Sequence, residues 1–377
     1  MKIQRIAILA GIAAIASLFM GESVSWGQKP PPPANPQAPT INPLPTGIQR
    51  GKATDLLISG TLLASPTGAS LGTPAKVAIP KEDKNGSDAG KFKVRIEVPA
   101  DTPIGYYPFR IATLKGVSNL RVLCVDDLPQ IAATGANRTR TTAQNIPVPC
   151  TVNGAVAAEA GDFYKFTAKA GQRLSFDCLA RRVGSAIDAY IYLYNAKTGR
   201  ELAYDNDSPG CQNDPRIVNY TFKEAGDYIL EVKDVLNRGG AEYFYRIRIG
   251  DFPVATTALP MAAKRGTKAK IGFAGPGVDG VAPVDLAVSA DPAAEVEWVA
   301  PKGASGLLGW PVPVMISDVE ETLEKEPNDT PKEANRINVP AGVTGRFEKG
   351  GDTDCFVFSA KKGQKLAIEG TTLEYYS

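Results

Sequence analysis

Asp162-Phe163-Tyr164-Lys165-Phe166-Thr167-Ala168-Lys169-Ala170-Gly171-Gln172-Arg173-Leu174 returns later in the chain as Asp354-Cys355-Phe356-Val357-Phe358-Ser359-Ala360-Lys361-Lys362-Gly363-Gln364-Lys365-Leu366. Asp, Phe, Ala, Lys, Gly, Gln and Leu recur in register. Upstream, Val152-Asn153-Gly154 matches Val343-Thr344-Gly345 with a single-residue gap. A match this dense marks a duplicated module. Each copy reads as an aromatic strand, a tight turn and an apolar strand. Gly171 and Gly363 supply the backbone freedom the turn needs.

Working outward, the first copy continues through Asp188–Tyr194, a strand with tyrosines on one face, and the turn Asn195–Gly199. An acidic loop, Tyr204–Gly210, follows, and Ala225–Val232 and Tyr243–Ile249 are late strands. Nearer the N-terminus, Asp55–Gly60 is a short apolar strand. Phe92–Val98 alternates apolar and polar residues, the period of a half-buried strand. Tyr106–Thr113 and Ser118–Val125 flank the turn at Lys115-Gly116. No helical period of useful length appears, and the abundant glycine (37) and proline (30) suit short strands and many turns. The chain is expected to be all-β, a tandem array of β-sandwiches.

Two resemblances sharpen this. Gly161–Phe166, Asp188–Tyr194, Asp205-Asn206-Asp207-Ser208 and Ala225-Gly226-Asp227-Tyr228 occur in the order of the bacterial pre-peptidase C-terminal (PPC) domain, which the run resembles. That family implies a jelly-roll-like β-sandwich over 140–252. Leu44-Pro45-Thr46-Gly47, Ile58–Leu63 and Ile104-Gly105-Tyr106-Tyr107 are similar to immunoglobulin-like domains of the IPT/TIG type, implying an immunoglobulin-like sandwich over 46–130. Residues 253–322, with strands expected at Lys270–Phe273, Val284–Val288 and Val312–Ile316, form a β-rich connector or small domain. Glu324–Asp329 is the usual entry to a PPC domain. Measured against the first copy, 323–377 supplies only its N-terminal half, so a longer parent protein is expected.

The start of the chain has the layout of an export signal over 1–27. Lys2 and Arg5 precede an uncharged apolar run from Ile6 to Met20, and small residues at Ser23, Ser25 and Gly27 suit cleavage. A spanning helix needs about 20 apolar residues, and this run is shorter and holds Gly11 and Ser17, so no transmembrane anchor is expected in the mature chain. Residues 28–45, with Pro30–Pro33 and further prolines, read as an extended linker. The mature protein is expected outside the cytoplasm, periplasmic, cell-surface or extracellular.

Composition excludes several classes. Net charge is +2, which provides no nucleic-acid surface. There is no histidine, which removes Ser-His-Asp and Cys-His nucleophiles, His-ligated zinc and the usual proton shuttle. No catalytic residue is assigned. None of the five cysteines forms a CxxC pair. In an oxidising compartment Cys178 and Cys211, within one module, are the best disulfide pair, with Cys124 and Cys150 a second candidate and buried free thiols the alternative.

The best candidate site opens the second copy. Glu324, Glu326, Asn328 and Asp329 bring oxygen ligands together within one short segment, and Asp352 and Asp354 add carboxylates on a later turn. Calcium takes six to eight oxygen ligands. The pattern Glu-x-Glu-Pro-Asn-Asp resembles the calcium-binding linker of PPC-like collagen-binding domains, which implies calcium as the cofactor; a solvated acidic linker is the alternative. Asp205, Asp207 and Asp214 form a weaker ion candidate. Tyr190, Tyr192 and Tyr194 suit core packing or cross-strand pairing, with a carbohydrate platform as the rival. The expected role is non-catalytic: binding, adhesion or structure at the cell surface, with an extracellular protein or polysaccharide as ligand. The alternative is the N-terminal region of a secreted peptidase or other hydrolase.

Overall fold

A computed structural model describes residues 38–370. The expected signal peptide, most of the proline linker and the last seven residues lie outside the described residues. No α-helix occurs among the described residues, only three short 3-10 turns.

Strand alternation builds the first sandwich. In Lys91–Glu97, Phe92, Val94 and Ile96 point inward while the lysines and Arg95 face water. One sheet orders Thr40–Leu44, Thr54–Thr61, Lys91–Glu97 and Lys76–Ala78; the other orders Gly47–Gln49, Arg121–Asp126, Gly105–Thr113 and Pro66–Leu71. Between them pack Ile48, Leu56, Ile58, Val94, Phe109, Leu123 and Val125. The linker therefore ends earlier than the expected 45. Thr40–Leu44 pairs with Thr54–Thr61, Pro43 standing opposite Ile58. It is an edge strand, where a residue without an N–H is tolerated.

The second sandwich stacks two five-stranded sheets. One runs Gln130–Ala132, Cys150–Ala155, Phe244–Gly250, Arg173–Leu179, Arg216–Thr221; the other runs Gln144–Asn145, Asp162–Ala168, Gly226–Asp234, Ala189–Asn195, Glu201–Asp205. Tyr164, Phe166, Phe176, Ile191, Leu193, Phe222, Leu230 and Ile247 fill the space between. The module starts before the expected residue 140, because Gln130–Ala132 adds to Cys150–Ala155 in parallel. The connector is a small two-sheet unit with three strands in each sheet, closed over Ile271, Val299, Val312 and Val314.

The final repeat reproduces the entry of the second sandwich. Glu320–Leu323 pairs in parallel with Ala341–Thr344 as Gln130–Ala132 does with Cys150–Ala155, and Asn335–Arg336 pairs with Phe356–Val357 as Gln144–Asn145 does with Asp162–Ala168. The sequence duplication is thus a duplication of strand pairing.

The units are fused through buried charge. Phe244–Gly250 is buried on both faces. Tyr245, Ile247 and Ile249 face the core of their own sandwich, while Arg246 and Arg248, on the other face, are covered by neighbouring units. Asp126, from the first sandwich, accepts from Arg246, from Arg248 Nε at 3.2 Å and from Thr151 Oγ1 at 2.9 Å. Arg248 also donates to the Leu308 carbonyl of the third unit at 2.9 Å. Beside this network Leu44, Tyr106 and Cys124, Leu179 and Phe244, and Trp310 bring the three units into one apolar cluster.

Candidate functional site

The entry loop of the final repeat is pinned before it presents any ligand. Glu324 N–H donates to the Thr344 carbonyl at 3.0 Å, and Cys355 N–H to the Asn328 carbonyl at 2.9 Å. The Asn335 side chain holds Lys325 from both sides, accepting from its N–H at 2.6 Å and donating to its carbonyl at 2.8 Å. These bonds bring Glu324 and Glu326 against Asp354, carboxylate oxygens of the three lying within 4.8 Å of one another. Gly345 makes the room: a Cβ there would stand 2.7 Å from Glu324 Oε2 and 3.4 Å from Asp354 Oδ2.

The electrostatics of this cluster are unbalanced. No Lys or Arg among the described residues forms an ion pair with Glu324, Glu326 or Asp354. Burial, followed by repulsion from Glu324, Asp352 and Glu326, pushes the Asp354 carboxyl up to about 6. Asn328 is completely buried, and its Oδ1, Asp329 Oδ1 and Asp354 Oδ1 are shut from solvent without a donor. An unpaired buried acceptor costs about 1–3 kcal/mol. With the carboxylates of Glu324 and Glu326, Asn328 Oδ1 and Asp354 Oδ1 form an all-oxygen donor set of the kind a hard divalent cation takes.

Of the six expected ligands, then, Glu324, Glu326 and Asp354 converge. Asn328 adjoins them, its N–H donating to Glu326 Oε2 at 2.9 Å. Asp329 and Asp352 turn toward Lys349, whose Nζ lies 3.4 Å and 3.8 Å from their carboxylates. Gly345 and Lys349 were not anticipated; the repeated Val-x-Gly was the available signal for the glycine.

The weaker ion candidate is not assembled. Asp214 is fully buried and accepts from the N–H groups of Ala180, Arg181 and Arg182 at 3.0, 2.7 and 3.2 Å, and from Arg182 Nε at 2.9 Å. Asp205 accepts from Ser208 Oγ at 2.7 Å and Arg216 N–H at 2.8 Å. Asp207 accepts from the Asn206 amide at 3.0 Å. Among the described residues these three carboxylates do not converge into a cluster that could hold a cation.

The expected Cys178–Cys211 disulfide is not formed either. Both are buried free thiols, as are Cys124 and Cys150. Cys178 packs in the sandwich core, while Cys211 Sγ donates to the Pro209 carbonyl at 3.3 Å in its loop.

The tyrosines stack outside the core formed by Ile191 and Leu193. Tyr190 and Tyr192 lie 4.6 Å apart at 8°, Tyr192 and Tyr194 5.9 Å apart at 13°, and Tyr204 crosses over from the next strand. Arg140 caps the Tyr194 face at 3.8 Å. Ring faces that a sugar would need are occupied by one another, which favours the pairing reading.

The family model of the bacterial pre-peptidase C-terminal domain matches residues 160–234. A probable subtilase-type serine protease of Deinococcus radiodurans is 35% identical over 72 residues, 19% of this chain and 9% of that protein. The chain therefore matches only a small part of that relative's length. Among solved structures, the pre-peptidase C-terminal domain of a Bacillus anthracis collagenase aligns at 20% identity over 28% of this chain and 93% of its own, with a TM-score of 0.24. A secreted serine protease of Vibrio cholerae aligns at 11% identity over 63% of this chain and 51% of its own, with a TM-score of 0.18.

Proposed function

We propose that this chain, whose residues 160–234 form a bacterial pre-peptidase C-terminal domain, is an exported, non-catalytic β-sandwich scaffold that binds calcium at the entry loop of its final repeat. Glu324, Glu326, Asn328 and Asp354 are its ligands, with Asp329 and Asp352 joining as Lys349 is displaced. The observation that carries this is the convergence of three carboxylates that have no Lys or Arg ion-pair partner with orphaned buried oxygens, where the entry loop meets the later turn at Asp354. Bound calcium would fix that loop against the Ala341–Thr344 strand. The scaffold's role is binding, adhesion or structure at the cell surface, with an extracellular protein or polysaccharide as partner and the first sandwich as an immunoglobulin-like spacer. No helix among the described residues is long and apolar enough to cross a membrane.

The test is thermal melting of the chain in calcium chloride against chelator. Calcium at a hundred times its dissociation constant adds about 2.7 kcal/mol to the folded state. Wild type should melt higher in calcium and Asp354→Asn should not respond; an unresponsive wild type sinks the proposal.

One observation favours a second reading, the accessory region of a secreted peptidase: the matched relative is a probable subtilase-type serine protease. The coding sequence downstream of Ser377 separates the two. A peptidase domain there supports the accessory role, and further β-sandwich repeats support the array.

A further inference from the structure

The two entry loops share a backbone framework but not its charges. Ala133 N–H donates to the Asn153 carbonyl at 2.8 Å as Glu324 does to Thr344, and Phe163 N–H to the Asn137 carbonyl at 2.8 Å as Cys355 does to Asn328. Gln144 brackets its loop, accepting from Thr134 N–H at 2.9 Å and donating to the Ala132 carbonyl at 2.9 Å, much as Asn335 brackets Lys325. These bonds equate Ala133, Gly135, Asn137, Arg138 and Asp162 with Glu324, Glu326, Asn328, Asp329 and Asp354. The asparagine is completely buried in both copies, with Oδ1 unpartnered in both. The final aspartate is kept too. The remaining acids change: Glu324 and Glu326 give way to Ala133 and Gly135, Asp352 to Ala160, and Asp329 to Arg138.

The arginine is engaged with the retained aspartate. Arg138 Nη1 pairs with Asp162 Oδ1, and the Asp162 side chain is completely shut from solvent. Tyr245 Oη donates to the other oxygen at 2.5 Å. A Cβ on Gly154 would meet that Tyr245 hydroxyl at 2.5 Å and the Ala133 Cβ at 3.0 Å. On the equivalent Gly345 it would meet the Glu324 and Asp354 carboxylates. The space that holds acids in one copy is thus closed by a tyrosine and an arginine in the other.

We propose that Arg138 is a built-in counter-ion for the first copy. Its guanidinium balances Asp162 where the final repeat leaves its aspartate for a divalent cation, so that of the two entry loops only the later one answers to calcium. The contrast between loops rests on the calcium reading above; the role of Arg138 toward Asp162 does not.

The titratable groups facing Asp162 are Arg138 from the loop, Tyr245 from Phe244–Gly250, and Tyr164 through its bond to the Tyr245 hydroxyl; Glu231, on the adjoining strand, stands opposite Phe163 on the other face of the sheet. Burial pushes the Asp162 carboxyl up, while Tyr245 and Arg138 oppose it. Without the guanidinium the carboxyl rises further. The variant's deficit relative to wild type is then full well above both folded values. It vanishes as pH falls through the wild-type one, where the acid is neutral in both proteins.

Full-length Arg138→Met and Arg138→Lys are melted in chelator, which keeps the later loop silent, from pH 7.5 down to pH 4. Arg138→Met should melt on the order of 5 °C lower at pH 7.5, the gap closing toward pH 4, and Arg138→Lys should recover part of it. A gap of the same size at every pH means packing alone and overturns the proposal. Should Arg138→Met fail to fold, the double variant Arg138→Met with Asp162→Asn decides. It should melt close to Asp162→Asn alone, and a large further loss overturns the proposal. Calorimetric titration of the Asp354→Asn chain with calcium chloride should give no heat, whereas one remaining equivalent in the first copy also overturns it. A wild-type chain that takes no calcium refutes the reading of the later loop, and the pH-dependent gap still decides the role of Arg138.

Discussion

Replacing Asp126 by asparagine should loosen the whole molecule. The substitution keeps the shape and one acceptor but removes the fully buried negative charge that, among the described residues, pairs with both fully buried guanidiniums, Arg246 and Arg248. Burial by itself would raise the Asp126 carboxyl, yet Arg248 and Arg246 hold it well below the usual carboxylate range. The charge is therefore present at every pH at which the protein is handled. Breaking a buried ion pair from one side costs about 3–5 kcal/mol, because the partner is left uncompensated. Asp127, 3.2 Å from Arg248 Nη2 and partly exposed, offsets some of that for Arg248 but touches nothing of Arg246. The expected loss is thus near the lower figure, about 3 kcal/mol. In urea, with a slope of about 1–3 kcal/mol per molar, it moves the midpoint down by roughly 1 M or more. The triple variant Asp126→Leu, Arg246→Met, Arg248→Met removes both signs together and should lose less than the single change. A single variant within about 0.3 M of wild type, or a triple variant less stable than the single, would refute the reasoning.

Three further outcomes follow from the same chemistry. Gly47→Ala should destabilise the junction of the first two sandwiches, since its Cβ would lie 2.2 Å from Arg246 Nη1; a melting temperature equal to wild type would contradict this. Asp177 is buried, which alone would raise it, but Arg216 and Arg182 bring its carboxyl down to about 2. That depressed value contributes on the order of 2 kcal/mol above pH 4, lost as pH falls toward 2; acid unfolding monitored by circular dichroism should be less steep in Asp177→Asn. Burial raises the Cys124 thiol to about 11 and the Cys150 thiol to about 12. With Cys178 and Cys211 equally buried, half-buried Cys355 should react first with a thiol reagent, and all five should titrate after denaturation without reductant. Fewer than five would reveal a disulfide.

Strands with a one-sided core were readable from the chain. Phe92, Val94 and Ile96 alternate as a half-buried strand must, and the Asp162 and Asp354 repeats announced a duplicated pairing pattern. What escaped was burial imposed by a neighbour. Arg246 and Arg248 sit where local alternation predicts water, and only the docking of two other units makes them interior. Asp214 looked like an ion ligand because backbone N–H groups from Ala180 to Arg182, distant in sequence, cannot be seen beside it. Pro43 read as linker because nothing local distinguishes an edge strand from an extended spacer. At the candidate cation site the carboxylates were legible from spacing. The division among them was not, since Lys349 draws Asp329 and Asp352 aside only in three dimensions.

Calorimetric titration of the chain with calcium chloride tests the central proposal most directly. It should show one equivalent bound, in the sub-millimolar to millimolar range typical of extracellular modules, and none after Asp354→Asn or Glu324→Gln. A wild-type chain that takes up no calcium, or one whose uptake survives both substitutions, would contradict it.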